Sequence, residues 1–256
     1  MTPPRPFVPP PYPYDRLEEI GAIAARHDGG CVDLSVGTPC DPPPRAVIEA
    51  LGSSNAERGY PPSIGTLAYR QAASGWLARR TGVTVDASQV AACVGTKEFV
   101  ALLPHLLRLR TPDRDTVLYP AVSYPTYAMG ATLAGCRPVP VPVDAQWRID
   151  LSAIDPADAE RALVLWVNTP GNPAGGLDDL DAVAAWGRAH GVPVFSDECY
   201  VEFTWDGPPS SGQPISRLLR PGEDAALPPE LSVVRGRSIL EHGTEGVVAV
   251  HSLSKR

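Results

Sequence analysis

The sequence contains very little lysine. Of its 22 basic residues, 20 are arginines and only two are lysines, Lys97 and Lys255. Each lysine lies in a short string that contains glycine or serine and adjoins an apolar run. We therefore do not interpret either lysine as an ordinary solvent-exposed surface residue. An amine in such a setting can form an imine with a carbonyl cofactor or ligand, so both lysines are candidate functional residues.

Other absences exclude whole classes of protein. No apolar run approaches the ~18 residues of a membrane span. The net charge is −7 without a basic block, which argues against nucleic acid or an anionic membrane as a partner. Residues 1–6 are too rich in proline for a signal peptide. The five cysteines are widely spaced and include no Cys-x-x-Cys pair, so we expect reduced thiols in the cytoplasm and no metal site.

The sequence does contain a regular alternation of apolar runs and amphipathic segments. Strand-like runs lie at 89–94, 116–119, 137–141, 162–167, 193–195 and 247–251. Helical signals mark 14–26, 45–51, 66–80, 98–109, 125–134 and 178–190, with Thr66 as a cap and Asp178 at the start of the last helix. This alternation predicts an α/β layered domain with a mostly parallel sheet, in which ligand sites gather at the carboxyl ends of strands.

Two segments depart from this alternation. Residues 1–14 form an arm rich in proline and tyrosine, without periodicity. Residues 207–236 are rich in proline and glycine, which predicts a long surface insertion.

The string Gly95-Thr96-Lys97-Glu98 follows a strand-like run and opens a predicted helix. Free backbone N–H groups at a helix start, together with a lysine and a hydroxyl, suit a phosphate group. The alternative interpretation is an ordinary helix start with a surface lysine.

Two further strings follow strand-like runs. In 168–175, prolines and glycines fix a turn and leave Asn172 as a rigidly placed amide, although a turn asparagine without a function is the alternative. In 196–200, Asp197 ends a buried strand and needs a cationic partner or several donors, which a protonated heterocycle or a structural arginine can supply. Tyr200 is close enough to point at the same ligand.

The last string begins with the apolar run that ends at His251 and continues through Ser252 to Lys255. Apolar neighbours lower the pKa of a lysine and leave it nucleophilic. The alternative is a solvated lysine, and His251 is interpreted as a packed or supporting histidine, not as a base.

These four strings, in this order and spacing, resemble those of pyridoxal-phosphate aminotransferases of class I/II, the fold type I group. The resemblance covers nearly the whole chain and includes 32–39, 60–62 and 123–127. The strings around Lys97 and Lys255 are most similar to the succinyldiaminopimelate aminotransferase branch of lysine biosynthesis. The resemblance implies a three-layer α/β/α fold, pyridoxal 5′-phosphate as cofactor, amino acid and keto acid substrates, and a homodimer.

The resemblance also implies individual roles. Lys255 corresponds to the lysine that holds the cofactor aldehyde and then acts as general base and acid, and Asp197 to the partner of the pyridine nitrogen. Asn172 and Tyr200 correspond to the donors to the ring 3-oxygen, and Tyr124 to the aromatic residue stacked on the ring. Thr96, Lys97 and Ser252 correspond to the phosphate ligands. Gly37 corresponds to the residue that contacts the substrate carboxylate, and Tyr60 to a tyrosine that reaches the phosphate of the neighbouring subunit's cofactor.

The sequence departs from the family pattern in two respects. The family continues beyond the lysine, with most of a small domain and an antiparallel strand between the 89–94 and 247–251 strands. We therefore expect a C-terminally truncated chain with an arm and helix at 1–36 and an incomplete cofactor-binding large domain at 37–256. Unpaired interior strands would make this chain aggregation-prone and inactive alone, which a soluble, active 1–256 protein would contradict. The second departure is the 207–236 insertion.

The hypothesis for function is amino transfer between glutamate and a keto acid, specifically N-succinyl-2-amino-6-oxopimelate. Because a fold does not determine a reaction, another activity on the same scaffold is an alternative, such as a different aminotransferase, a C–S lyase or a decarboxylase. A non-catalytic aminotransferase-like domain that binds the cofactor or a protein partner is the third possibility.

Overall fold

A computed structural model of the chain describes residues 7–32, 34, 37, 42–53, 59–204 and 236–255, with only the backbone of Lys255. The predicted insertion at 207–236 lies outside the described residues, except for Gly236. Parts of the 32–39 string also lie outside them.

Five parallel strands form one sheet in the order β2-β1-β3-β4-β5. The strands are β1 (Thr116–Pro120), β2 (Arg137–Val141), β3 (Ala162–Asn168), β4 (Val194–Asp197) and β5 (Val247–Val250). The predictions for these five runs are confirmed to within two residues at every end. Every residue of β3 and β4 is buried, as expected for central strands that are covered on both faces.

Seven α-helices accompany the sheet in the part of the chain that the structure describes. They are α1 (Leu17–Ala24), α2 (Arg45–Gly52), α3 (Leu67–Arg80), α4 (Thr96–Arg110), α5 (Thr126–Leu133), α6 (Pro156–Arg161) and α7 (Leu180–His190). The predicted helix at 14–26 begins as a 3-10 turn, Pro13–Arg16, before α1.

The helix caps follow the sequence closely. The Thr66 side chain accepts a hydrogen bond from Tyr69 N, as predicted for the cap of α3. The helix predicted at 178–190, with Asp178 at its start, begins two residues later at Leu180, and its cap is Asp179, which accepts from Ala182 N. The Asp178 carboxylate instead turns inward and accepts from Ile149 N at 2.8 Å.

Side chains from the two faces of the sheet pack into separate cores. In β3, Leu165 and Val167 belong to one core, which α7 covers, whereas Val164 and Trp166 belong to the other, which α4 and α5 cover. Alternation of successive side chains across a strand produces this division. The result is the three-layer α/β/α arrangement that the sequence predicted.

The predicted strand at 89–94 is wrong for the described structure. Residues Ala87–Gln89 form a 3-10 helix, and the following residues have no regular structure; a backbone hydrogen bond joins Ala92 N to Ile64 O at 3.0 Å. Among the described strands, β5 is an edge strand that pairs only with β4. An apolar run needs a hydrogen-bonded neighbour to become a strand, and no described segment supplies one.

None of the helices in the described ranges combines the length and the apolar character that a bilayer crossing requires.

Candidate active site

Parallel pairing aligns the carboxyl ends of three neighbouring strands. Asn168 of β3 is in register with Asp197 of β4, which is in register with Val250 of β5. The Asn168 side chain and the Thr169 N–H both donate to the Asp197 carbonyl oxygen, at 2.9 and 3.2 Å. The segments that follow these strands, which carry Asn172, Tyr200 and Lys255, therefore start at one edge of the sheet.

The Asp197 side chain lies at the centre of this edge and is only 8% exposed. Its Oδ1 accepts from the Cys199 N–H at 3.2 Å, and its Oδ2 accepts from the Tyr127 hydroxyl at 2.8 Å. The ion pairs among the described side chains do not include this carboxylate. The structural arginine that the sequence left open as an alternative is thus not found among the described residues.

Tyr127 is a site residue that the sequence analysis missed. It is fully buried on α5 and packs against Trp166, with ring centroids 5.2 Å apart. Burial, and then the nearby negative charge of Asp197, raise the pKa of Tyr127 well above its usual value, so the hydroxyl stays protonated and donates. Tyr127 follows Tyr124, which lies just before α5, by three residues, and this spacing is the signal that could have indicated it.

Asn172 and Tyr200, which the sequence places after neighbouring strands, lie together. The Asn172 Nδ2 atom is 3.5 Å from the Tyr200 hydroxyl, and the Asn172 N–H donates to the Asn168 side chain at 2.7 Å. Both side chains are partly buried. The turn thus holds the Asn172 amide rigidly beside a second polar group.

The side chains of Tyr124 and Lys97 lie near the N-terminal arm. Lys97 Nζ donates to the Tyr12 hydroxyl at 3.3 Å and lies 4.9 Å from the centre of the Tyr12 ring. The hydrogen bond to Tyr12 raises the pKa of Lys97 above its ordinary value. The Tyr124 ring packs edge-on against the Tyr127 ring, with centroids 6.4 Å apart.

The predicted phosphate ligands lie on α4 and after β5. Thr96 is the first residue of α4, and the preceding residue, Gly95, provides no side-chain cap. The Thr96 Oγ1 atom is 4.0 Å from the Cys199 sulfur. The Ser252 hydroxyl lies 2.7 Å from the Ser254 hydroxyl. Free N–H groups at the start of a 15-residue helix suit an anion.

The backbone of Lys255 ends a short 3-10 turn, Leu253–Lys255, directly after β5. Residue 255 thus follows, by five positions, the residue of β5 that is paired with Asp197. Two predicted residues lie elsewhere. Gly37 is exposed in an irregular segment, and Tyr60 is fully exposed. No described contact joins either residue to the strand-end groups.

Glu198 is a second residue that the sequence analysis did not single out. Successive strand residues point to opposite faces, so Glu198 points away from Tyr127 and towards Ile239, whose N–H donates to Glu198 Oε1 at 2.8 Å. Burial raises the pKa of Glu198 to about 7. A second acid beside Asp197 was visible in the sequence, but its burial was not.

The donor set of this edge suits a flat heteroaromatic phosphate. Asp197 is a buried carboxylate that lacks a described counter-charge, and a protonated ring nitrogen would supply one. Asn172 and Tyr200 provide neighbouring polar groups, and the start of α4 provides backbone donors. The Tyr124 ring provides an aromatic face.

Comparison with known proteins identifies relatives of this chain. A family model described as aminotransferase class I and II matches residues 29–256. The 4-dedimethylamino-4-oxo-anhydrotetracycline transaminase OxyQ of Streptomyces rimosus is 39% identical over 250 residues, which are 96% of this chain and 60% of that protein. The LL-diaminopimelate aminotransferase of Desulforudis audaxviator is 37% identical over 212 residues, 78% of this chain and 53% of that protein.

A solved structure is similar over almost the same extent. A probable N-succinyldiaminopimelate aminotransferase from Thermus thermophilus superposes with a TM-score of 0.73 and 29% identity, over 94% of this chain and 60% of that chain. The chain thus spans between about half and three fifths of the length of these proteins.

Proposed function

Because the chain belongs to the aminotransferase class I and II family, whose members depend on pyridoxal phosphate, we propose that the edge formed by β3, β4 and β5 binds this cofactor and transfers an amino group between an amino acid and a keto acid. The proposal depends on the buried, hydrogen-bonded Asp197 carboxylate, which ends β4 three residues before Tyr200, the contact of Asn172.

When bound, the cofactor ring withdraws electrons from the substrate Cα and makes its proton acidic. Asp197 would keep a proton on the ring nitrogen, and Tyr127 holds that carboxylate in place. Asn172 and Tyr200 would donate hydrogen bonds to the ring oxygen, while Tyr124 would stack on the ring. Thr96, Lys97 and Ser252 would bind the phosphate, Gly37 would contact the substrate carboxylate, and Lys255 would hold the aldehyde and move the proton at Cα.

The scarcity of lysine allows a direct test of this assignment. Because the chain alone is expected to be inactive, the tests use the protein extended to the length of its relatives. We expect borohydride reduction of this protein with pyridoxal phosphate, followed by peptide mapping, to place the pyridoxyl label on Lys255. The variant Lys255→Ala should lose the label, whereas Lys97→Ala should keep it. Label on Lys97 or on the N-terminal amine in place of Lys255 would contradict the proposal.

The proposed amino donor is glutamate and the proposed acceptor is N-succinyl-2-amino-6-oxopimelate. Similarity to two proteins, an LL-diaminopimelate aminotransferase and a probable N-succinyldiaminopimelate aminotransferase, supports a substrate of the diaminopimelate class. A panel of keto acceptors assayed with glutamate tests this, and it should include the unsuccinylated compound and a tetracycline-type ketone, because OxyQ is 39% identical. A preference of less than about tenfold for the succinylated acceptor would overturn the substrate proposal but not the cofactor assignment.

We also propose that the active form is a homodimer. Tyr60 is fully exposed, so its hydroxyl is accessible to a second subunit. Sedimentation analysis should give twice the monomer mass, and Tyr60→Phe should weaken cofactor binding without altering that mass. A monomeric protein with full cofactor affinity would contradict this.

A further inference from the structure

Glu198 and His251 directly follow the paired ends of β4 and β5. The Glu198 N–H donates to the Val250 carbonyl oxygen at 2.8 Å, which extends the strand pairing by one step. Their side chains then meet, with Glu198 Oε2 3.4 Å from His251 Nε2. The pair therefore joins the strand that carries Asp197 to the strand that leads to Lys255.

The surroundings of this pair are almost closed to water. Glu198 is 0% exposed, and its other oxygen accepts from the Ile239 N–H at 2.8 Å. The His251 ring meets the edge of Trp76 of α3, with centroids 5.2 Å apart. The polar or charged groups that face Glu198 from the packed elements, among the described residues, are His251, Asp197 and the hydroxyls of Ser196 and Ser238.

The free-energy cost of burying the Glu198–His251 pair depends on the net charge of the pair. A buried pair with one proton is neutral, whichever atom holds the proton, whereas a pair without a proton has one negative charge. Burial first, and then the charge of Asp197, raise the pKa of Glu198, which shows that this negative charge is costly. The surroundings therefore favour the neutral pair at pH values up to about 7.

We propose that Glu198 and His251 are positioning residues that share one proton, and that this neutral pair fixes the segment from Ser252 to Lys255 against the end of β4. The inference rests on the proposed function, since it concerns the placement of the lysine assigned there. Loss of the shared proton at alkaline pH leaves one uncompensated negative charge on the pair, close to Asp197. This charge weakens the contact between the ends of β4 and β5.

The shared proton is tested on the unmodified protein by NMR titration of the His251 ring nitrogens and the Glu198 carboxyl carbon. Because one proton serves both groups, both nuclei should report the same final deprotonation step, at about pH 7 or above. Separate steps near the ordinary values of about 6.5 for histidine and about 4.3 for glutamate would overturn the proposal.

The positioning role is tested by the rate at which Lys255 acquires the borohydride-fixed pyridoxyl label. We expect Glu198→Gln and His251→Gln each to slow labelling about tenfold at pH 7 and to remove the alkaline decline of the unmodified protein. The double variant should be no slower than either single variant, because both remove the same interaction. Glu49→Gln, at an exposed surface pair with Arg45, is the matched control and should change nothing.

The outcomes separate the two proposals. Labelling of Lys255 with an unchanged rate and pH profile in Glu198→Gln would overturn the positioning role alone. If the unmodified protein takes no label at Lys255, the proposed function fails, whereas a common final titration step would still establish the shared proton.

Discussion

The Tyr127 hydroxyl donates a 2.8 Å hydrogen bond to Asp197 Oδ2, and Tyr127 is completely buried. This contact joins α5 to the end of β4 across 70 positions in the sequence. It fixes one oxygen of the carboxylate, while the Cys199 N–H fixes the other. The orientation of the central acid is thus determined by two protein groups.

Tyr127→Phe should destabilise the protein by about 1–3 kcal/mol, because a buried hydrogen bond to a carboxylate is lost and one oxygen loses its partner. Urea unfolding followed by circular dichroism measures the change. Tyr119→Phe is the matched control, since Tyr119 is partly buried on β1 and has no hydrogen bond from its hydroxyl among the described contacts. Equal losses for both variants would show that the contact with Asp197 contributes nothing.

Asp197→Asn should preserve the fold, because an amide oxygen can still accept a hydrogen bond from Tyr127. The affinity for pyridoxal phosphate should fall about 10- to 100-fold, since the charge-assisted bond to the ring nitrogen is worth about 1.5–3 kcal/mol. An absorbance titration measures this affinity. The exposed Asp113→Asn serves as the control for the loss of one negative charge, and equal affinity in the two variants would be evidence against the assigned role.

Asp178→Asn should change how stability depends on pH. Burial raises the pKa of Asp178 to about 6, so the folded state holds its proton more tightly than the unfolded state does. The resulting stabilisation is fully present below the unfolded value of about 3.9 and is lost as the pH rises through about 6; it amounts to at most about 3 kcal/mol. Unfolding free energies measured from pH 4 to 7 should decline more steeply in the unmodified protein than in the variant. Parallel curves would contradict this, and Asp113→Asn should leave the slope unchanged.

Gly187→Ala should destabilise the contact between α7 and β4 by about 1–3 kcal/mol. A Cβ atom at this position would lie 2.4 Å from Val194 Cγ2 and 2.9 Å from the Val192 carbonyl oxygen. The control is Gly21→Ala in the exposed helix α1, where a Cβ atom meets nothing within 4 Å and should stabilise the helix by about 0.5–1 kcal/mol. Thermal unfolding distinguishes the two signs, and a neutral Gly187→Ala would mean that α7 can move away from the sheet.

Local patterns in the sequence determined most of the elements. The apolar runs of β1 to β5 and the periodic segments of the helices are patterns of residues that are close together in the sequence. One sequence is therefore enough to recognise them. The same is true of Thr66 as a cap and of the strand-end positions of Asn172, Asp197 and Tyr200, because a strand end is visible wherever an apolar run meets turn residues.

Contacts between distant elements were decided only by the tertiary structure. The run at 89–94 has strand composition but no described neighbour, and strand formation requires hydrogen bonds from another segment. The partnership of Tyr127 with Asp197 and the burial of Glu198 against Ile239 depend on which face of each strand is covered by which element. Local periodicity specifies that a face is buried but not what covers it, because packing partners are selected by shape and volume across the whole core.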